Sequence, residues 1–178
     1  MQKESLLLFS FPSDSNSDKV KYTKKNVMQA LNLPKTDLRI TTKDGKQQVF
    51  DILRRKYVAL TPEEWVRQQF VHYLILCKGY PAECIGNEIS LTLNGTRKRC
   101  DSVVYGQNAQ PIMIIEYKSP QVDITQNVFE QISRYNIRLK VQWLVVSNGL
   151  QHYCCRIDYE SGTCQFAEDI PPYATIRG

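Results

Sequence analysis

From residue 60 onward the apolar positions fall into well-defined periods. Thr61-Pro62-Glu63-Glu64 carries a helix start: Thr as N-cap, Pro at the first helical position and Glu at the third, the chemistry of a capping box. Trp65, Val66, Phe70, Tyr73, Leu74 and Cys77 follow at helical spacing, and Gly79-Tyr80-Pro81 ends the run. Two strands are predicted next, Cys84 to Leu93 and Thr96 to Tyr105, joined by Asn94-Gly95, a strong hairpin signal. Gly106-Gln107-Asn108 turns the chain into a third strand, Pro111 to Lys118, which Ser119-Pro120 breaks. Asp123 or Thr125 can then cap a helix striped by Ile124, Val128, Ile132, Tyr135 and Leu139. The apolar run Val141 to Val146 follows at once, so strand, helix and strand form a crossover that predicts a parallel pair. Asn148-Gly149 returns the chain through His152 to Asp158, with Thr163 to Ala167 as an edge partner. The order predicts an α/β fold with a mixed sheet (α+β in its segregation): helix, three antiparallel strands, helix, parallel strand, return strand.

Ahead of that domain the pattern is weaker. Ser13 to Asp18 is a polar, turn-forming stretch, and Asn26 to Leu33 suggests a short helix stopped by Pro34. Leu38 to Thr42 and Gln47 to Ile52 flank Asp44-Gly45 and predict a second hairpin. The expected division is an arm with a small hairpin over 1–59 and a main domain over 60–178.

Composition narrows the function classes. A chain of 178 residues with net charge +5 permits a polyanionic partner without demanding one. Its cations cluster at Lys19 to Lys25, Arg54-Arg55-Lys56 and Arg97-Lys98-Arg99. No run of about 18 apolar residues predicts a membrane span, and Leu6 to Phe9 is too short for a signal-peptide core. Six cysteines without a C-x-x-C pair are expected as buried free thiols in a reducing cytoplasm, and His152, Cys154, Cys155 and Cys164 have poor spacing for zinc. His72 and His152 lack an evident nucleophilic partner, which argues against acyl transfer.

The chemistry concentrates where basic and apolar sequence meet. Glu116-Tyr117-Lys118 closes the apolar strand, and residues two apart on a strand share a face. Asp101 follows Arg97-Lys98-Arg99 on the preceding strand, so an Asp and a Glu on neighbouring strands can converge. Two close carboxylates repel, and a hard divalent cation removes that penalty. Mg²⁺ is the natural occupant, with Lys118 beside it to orient a water or stabilise phosphate charge. The plain alternative is a pair of acids matched to nearby Lys and Arg. Gln131 and Tyr135, four apart on the second helix, share a face.

Asp101 followed by Glu116-x-Lys118, on consecutive strands after a capped helix and before a crossover helix, resembles the PD-(D/E)XK nuclease superfamily. Four segments are similar to the N-terminal nuclease domain of type I restriction enzyme R subunits and its stand-alone bacterial relatives: Pro62-Glu63-Glu64-Trp65-Val66-Arg67-Gln68, Lys98-Arg99-Cys100-Asp101, Glu116-Tyr117-Lys118-Ser119-Pro120, and Gln131 to Tyr135. The resemblance covers about Leu60 to Asp158 and implies a restriction-endonuclease-like core acting on DNA, with Mg²⁺ as cofactor (Mn²⁺ substituting). It implies Asp101, Glu116 and the Tyr117 carbonyl as metal ligands, Lys118 as helper of the attacking water, and an acid from the first helix. Glu63 is preferred for that acid because it shares the face of Val66 and Phe70; Glu64, at the capping position, is the other candidate. Gln131 and Tyr135 would line the site, and Arg97, Arg99 and Tyr135 would meet nucleic acid. Cys100 stands where the family often has Pro, and no Gly-rich phosphate loop of a translocase motor is present, so ATP-driven activity does not carry over. A larger restriction or defence complex is an expected partner. A binding or docking module of the same fold without turnover is the competing expectation.

Overall fold

A computed structural model describes residues 28–93 and 95–178. The polar stretch at Ser13 to Asp18 and the cations at Lys19 to Lys25 lie outside the described residues.

The Asp-Gly hairpin forms as β1 (Ile40–Lys43) and β2 (Lys46–Asp51), antiparallel and turning at Asp44 and Gly45, both with positive φ. That is the backbone a two-residue turn needs to match strand twist. The structure adds a third strand that the sequence pattern did not separate, β3 (Lys56–Ala59), paired to β2. The short helix expected over Asn26 to Leu33 is not formed at residues 28–33; Asn26 and Val27 lie outside the described residues. Leu31 and Leu33 instead pack against the core from a segment without regular secondary structure. Pro34 and the β-type backbone it favours leave no room for a stable turn of helix.

The main body is a six-stranded sheet in the order β4-β5-β6-β7-β8-β9. Its strands are β4 (Ile85–Leu93), β5 (Thr96–Tyr105), β6 (Pro111–Tyr117), β7 (Trp143–Ser147), β8 (His152–Asp158) and β9 (Thr163–Ala167). All neighbours run antiparallel except β6 and β7, which are parallel across the crossover helix α2 (Gln126–Leu139). Helix α1 (Pro62–Lys78) begins at Thr61, whose side chain accepts from the Glu64 N–H, and ends on Gly79 in the left-handed region. A last short helix, α3 (Tyr173–Ile176), was not anticipated.

Alternation along the strands divides the core in two. Val66, Phe70 and Leu74 of α1 pack with Val104, Met113, Ile115, Tyr117 and Val145. Val128, Phe129, Ile132 and Tyr135 of α2 pack with Val103, Ile114, Leu144 and Val146 on the opposite face. The sheet therefore lies between the two helices, and each fully buried Phe or Leu contributes about 2 kcal/mol. Among the described residues no helix is long and apolar enough to cross a membrane.

The cysteines depart from the expectation of buried free thiols. Cys77 is exposed, because its position falls on the outer side of α1, and Cys84 is half-buried. Cys155 and Cys164, diagonal neighbours on β8 and β9, are joined in a disulfide. Cys100 and Cys154 are buried free thiols. His152 also differs: its Nδ1 lies 2.8 Å from Ser147 Oγ, a partner the sequence did not reveal. Ser147 is fully buried and accepts from the Gly149 N–H, so this pair braces the turn between β7 and β8 rather than presenting a nucleophile.

Candidate functional site

The site forms where the central sheet opens. β5 and β6 pair from Tyr105↔Pro111 as far as Ser102↔Ile115. One step further in this register Asp101 stands opposite Glu116, but the ladder does not continue between backbones. Asp101 Oδ2 accepts the Tyr117 N–H at 2.9 Å instead. Beyond this point β5 stays with β4 in a two-stranded ribbon, while β6 runs on beside β7. A carboxylate capping a backbone N–H at a fork in a sheet is held in orientation by the fold itself.

Glu116 points to the face covered by α2, since its neighbours Ile115 and Tyr117 pack on the α1 face. Its Oε1 accepts from Lys118 Nζ at 2.7 Å and from Gln131 Nε2 at 2.7 Å. Gln131 Nε2 also lies 3.4 Å from the Tyr135 hydroxyl, and its Oε1 is 3.4 Å from Lys118 Nζ. Glu116, Lys118, Gln131 and Tyr135 are therefore one hydrogen-bonded group, brought together by a strand end and one turn of α2. Glu116 is only 4 % exposed, and its Oε2 is buried with no hydrogen-bond partner. Burial, and next the charge of Asp101, push its carboxyl up to about 7 despite the Lys118 ammonium. Burial works against the Lys118 charge, but the hydrogen bond and charge of Glu116 outweigh it and raise the ammonium.

The N-terminal turn of α1 closes the other side. Glu63 is half-exposed; burial first and Asp101 second raise its carboxyl, with Arg67 and Lys118 acting in the opposite sense. Glu64 is buried and committed elsewhere: Oε1 accepts from Arg54 (2.7 Å) and Gln68 (2.8 Å), and Oε2 from Arg67 (2.6 Å). The capping box is thus half realised, with Thr61 receiving the Glu64 N–H while the Glu64 side chain turns inward to the two arginines. Of the two acids on α1, Glu63 is the one whose carboxylate is not saturated by such bonds.

Sequence reasoning missed the cations of this network. Arg67 lies in the quoted helix segment, yet its distance from Asp101 in sequence gave no sign that its Nη2 bonds Asp101 Oδ1 at 3.0 Å. In the sequence Arg54 stands with Arg55 and Lys56 in a cluster of cations open to a polyanionic partner. Its guanidinium instead bonds the fully buried Asp51, Glu64 and, at 3.4 Å, Glu88, so it is not available to a phosphate. Asp51 in turn receives the Leu53 and Arg54 N–H groups and Asn87, tying the three-stranded sheet to the site. Arg97, Lys98 and Arg99 are exposed on the β4–β5 ribbon, with Arg97 on Ser90 and Arg99 3.5 Å from Glu88.

Chemically the acceptors of the centre are oxygens, from carboxylates, the Gln131 amide and the Tyr135 hydroxyl, which suits a hard cation rather than a soft one. The unpartnered, buried Glu116 Oε2 beside Asp101 is the feature that fits such an ion. Among the described residues, however, no group of three or more His, Cys, Asp and Glu side chains is gathered tightly enough to hold a metal. Nitrogens of Arg67, Lys118, Gln131 and the Tyr117 backbone take the positions nearest Asp101 and Glu116.

Comparison with known proteins follows the same lines. The profile of the family described as type I restriction enzyme R protein N terminus (HSDR_N) matches residues 62–171. A solved fragment of a putative HsdR subunit of a type I restriction enzyme from Vibrio vulnificus YJ016 is similar at 21 % identity and a TM-score of 0.41. The match covers 52 % of this chain and 19 % of that one. The chain thus spans about a fifth of that relative. No curated protein matches. With more than half of its length matched, from the capped start of α1 to the residues after β9, the chain belongs to the family of the type I restriction enzyme R protein N terminus.

Proposed function

We propose that this chain is a metal-dependent nuclease with a restriction-endonuclease-like, PD-(D/E)XK core that hydrolyses phosphodiester bonds in DNA. The observation that carries the reading is the convergence of Asp101, Glu116, Lys118 and Gln131 at the fork of β5 and β6, with one buried Glu116 oxygen unpartnered. Asp101, Glu116 and the Tyr117 carbonyl would hold Mg²⁺ or Mn²⁺, with Glu63 as the additional acid. The ion would supply Lewis-acid stabilisation of phosphate charge. Lys118 holds Glu116 in place and presents a cation where an attacking water and a phosphate oxygen would meet. Gln131 fixes the Glu116 carboxylate and the Tyr135 hydroxyl relative to each other. Arg97 and Arg99 on the exposed ribbon, with Tyr135, supply contacts to the nucleic acid backbone that carry no sequence information. Work within a larger restriction or defence complex, in the cytoplasm, accords with the family.

A second reading has its own support: both Asp101 oxygens and both Glu64 oxygens are already bonded within the protein. On that reading the domain binds DNA or a partner without turnover. Incubation of plasmid and single-stranded DNA with Mg²⁺ or Mn²⁺, alongside a DNA-binding assay, separates the two. The nuclease reading expects cleavage that Lys118→Ala and Glu116→Ala each reduce by about a hundredfold or more. Undiminished cleavage in those variants overturns the site, and normal DNA binding with no cleavage by wild type selects the silent module.

A further inference from the structure

Arg67 lies within ion-pair distance of four acids, Glu63, Glu64, Glu88 and Asp101. Nη1 bonds Glu64 at 2.6 Å and Nη2 bonds Asp101 at 3.0 Å, while Glu63 lies 3.6 Å from Nη2 and Glu88 3.8 Å from Nη1. The residue is 4 % exposed, and its guanidinium carbon stands 5.6 Å from the centre of the Tyr117 ring. Its Nε is buried with no hydrogen-bond partner. A guanidinium placed only to hold a fold normally satisfies its donors, and one cannot lose its proton to relieve a crowded site.

Asp101 is pinned at Oδ2 by the Tyr117 N–H, and Oδ1 is the oxygen that accepts from Arg67. Glu63 is drawn to the same guanidinium and is repelled by Asp101. Arg67 therefore occupies the space between the two acids that a divalent cation would have to share.

We infer that Arg67 is a resident counter-cation of this site, which aims Asp101 and competes with a divalent ion for the carboxylates of Glu63 and Asp101. The inference rests on the nuclease reading in taking Asp101 and Glu63 as metal-facing acids. It makes Arg67 a positioning residue: a bound ion would take Asp101 Oδ1 from the guanidinium, whose remaining partners on the other side are Glu64 and Glu88. The pocket is thereby kept ordered when empty, and its metal affinity is set below what its acids alone would give.

The test is Mn²⁺ binding by calorimetry on wild type, Arg67→Gln and Arg67→Lys. Removing a charge a few ångströms from the ion is expected to tighten Mn²⁺ binding by at least about tenfold in Arg67→Gln. Arg67→Lys, which keeps the charge, should stay near wild type. Binding in both wild type and Arg67→Gln with equal or weaker affinity in the variant overturns the inference and leaves the nuclease reading intact. Binding in Arg67→Gln alone supports the inference and overturns the nuclease reading for wild type. Binding in neither overturns both. A measurement on wild type covers an Arg67→Gln that does not fold. The guanidinium ¹⁵N resonances of Arg67, assigned with Arg67→Lys, should move when Mg²⁺ is added, and unmoved resonances overturn the inference.

Discussion

Replacing Glu116 by Gln should stabilise the metal-free protein, but only above a certain pH. In the fold the Glu116 carboxyl is raised to about 7 from its ordinary value of 4.5, by burial first and the Asp101 charge second. Between those two values the native state holds a proton that the unfolded chain has released. Stability therefore falls as pH rises through this window, and the loss is complete above about 7. The displacement corresponds to up to about 3 kcal/mol. Gln is close in shape to the protonated acid, so it escapes this loss while keeping an oxygen for Lys118 and Gln131. In a chain of this size 3 kcal/mol is roughly 6–12 °C in Tm. The assay is a set of thermal or urea melts of wild type and Glu116→Gln in EDTA, from about pH 4.5 to pH 8.5. All other titrating groups are common to both proteins, so the difference curve isolates Glu116. It should start near zero at the acid end and open through neutrality with the variant on top. Parallel curves, or a variant that is less stable at about pH 8.5, would refute the buried, repelled carboxylate and with it the electrostatic case for a cation site.

Two further outcomes are expected, one in the network around that site and one at the cysteines. Arg54→Ala strips the counter-charge from the fully buried Asp51 and from Glu64. It should cost about 3–5 kcal/mol, read by urea melts, whereas Lys98→Ala on the exposed ribbon should change stability by less than about 0.5 kcal/mol. Denatured protein kept from reductant should titrate as four thiols, Cys77, Cys84, Cys100 and Cys154, with a Cys155–Cys164 peptide pair in the mass spectrum.

Much of the architecture was legible in the residues. β5, β8 and β9 begin and end where the pattern put them, and the capped start of α1, the α2 stripe and the parallel crossover are where periodicity and turn chemistry require. These features are local: alternation, caps and Asn-Gly or Asp-Gly turns act within a few residues, so a linear reading captures them. The short segment before Pro34 and strand β3 were not legible, because neither carries a periodic signal and both depend on what they pack against. Of the site, the candidates Asp101, Glu116, Lys118, Gln131 and Tyr135 could be named from motif and spacing alone.

What the sequence by itself determined is which groups stand at strand ends and on which faces, and that an Asp and a Glu occupy neighbouring strands. Only the tertiary structure decided what surrounds them. Arg54 and Arg67 reach acids 10 and 34 residues away, and Asp101 closes the fork by accepting a hydrogen bond from a backbone N–H 16 residues on. Charge interactions act through space at a few ångströms whatever the separation along the chain, and burial magnifies them. Their partners, and the perturbed Glu116 that results, emerge only when the sheet and its two helices have closed around the site.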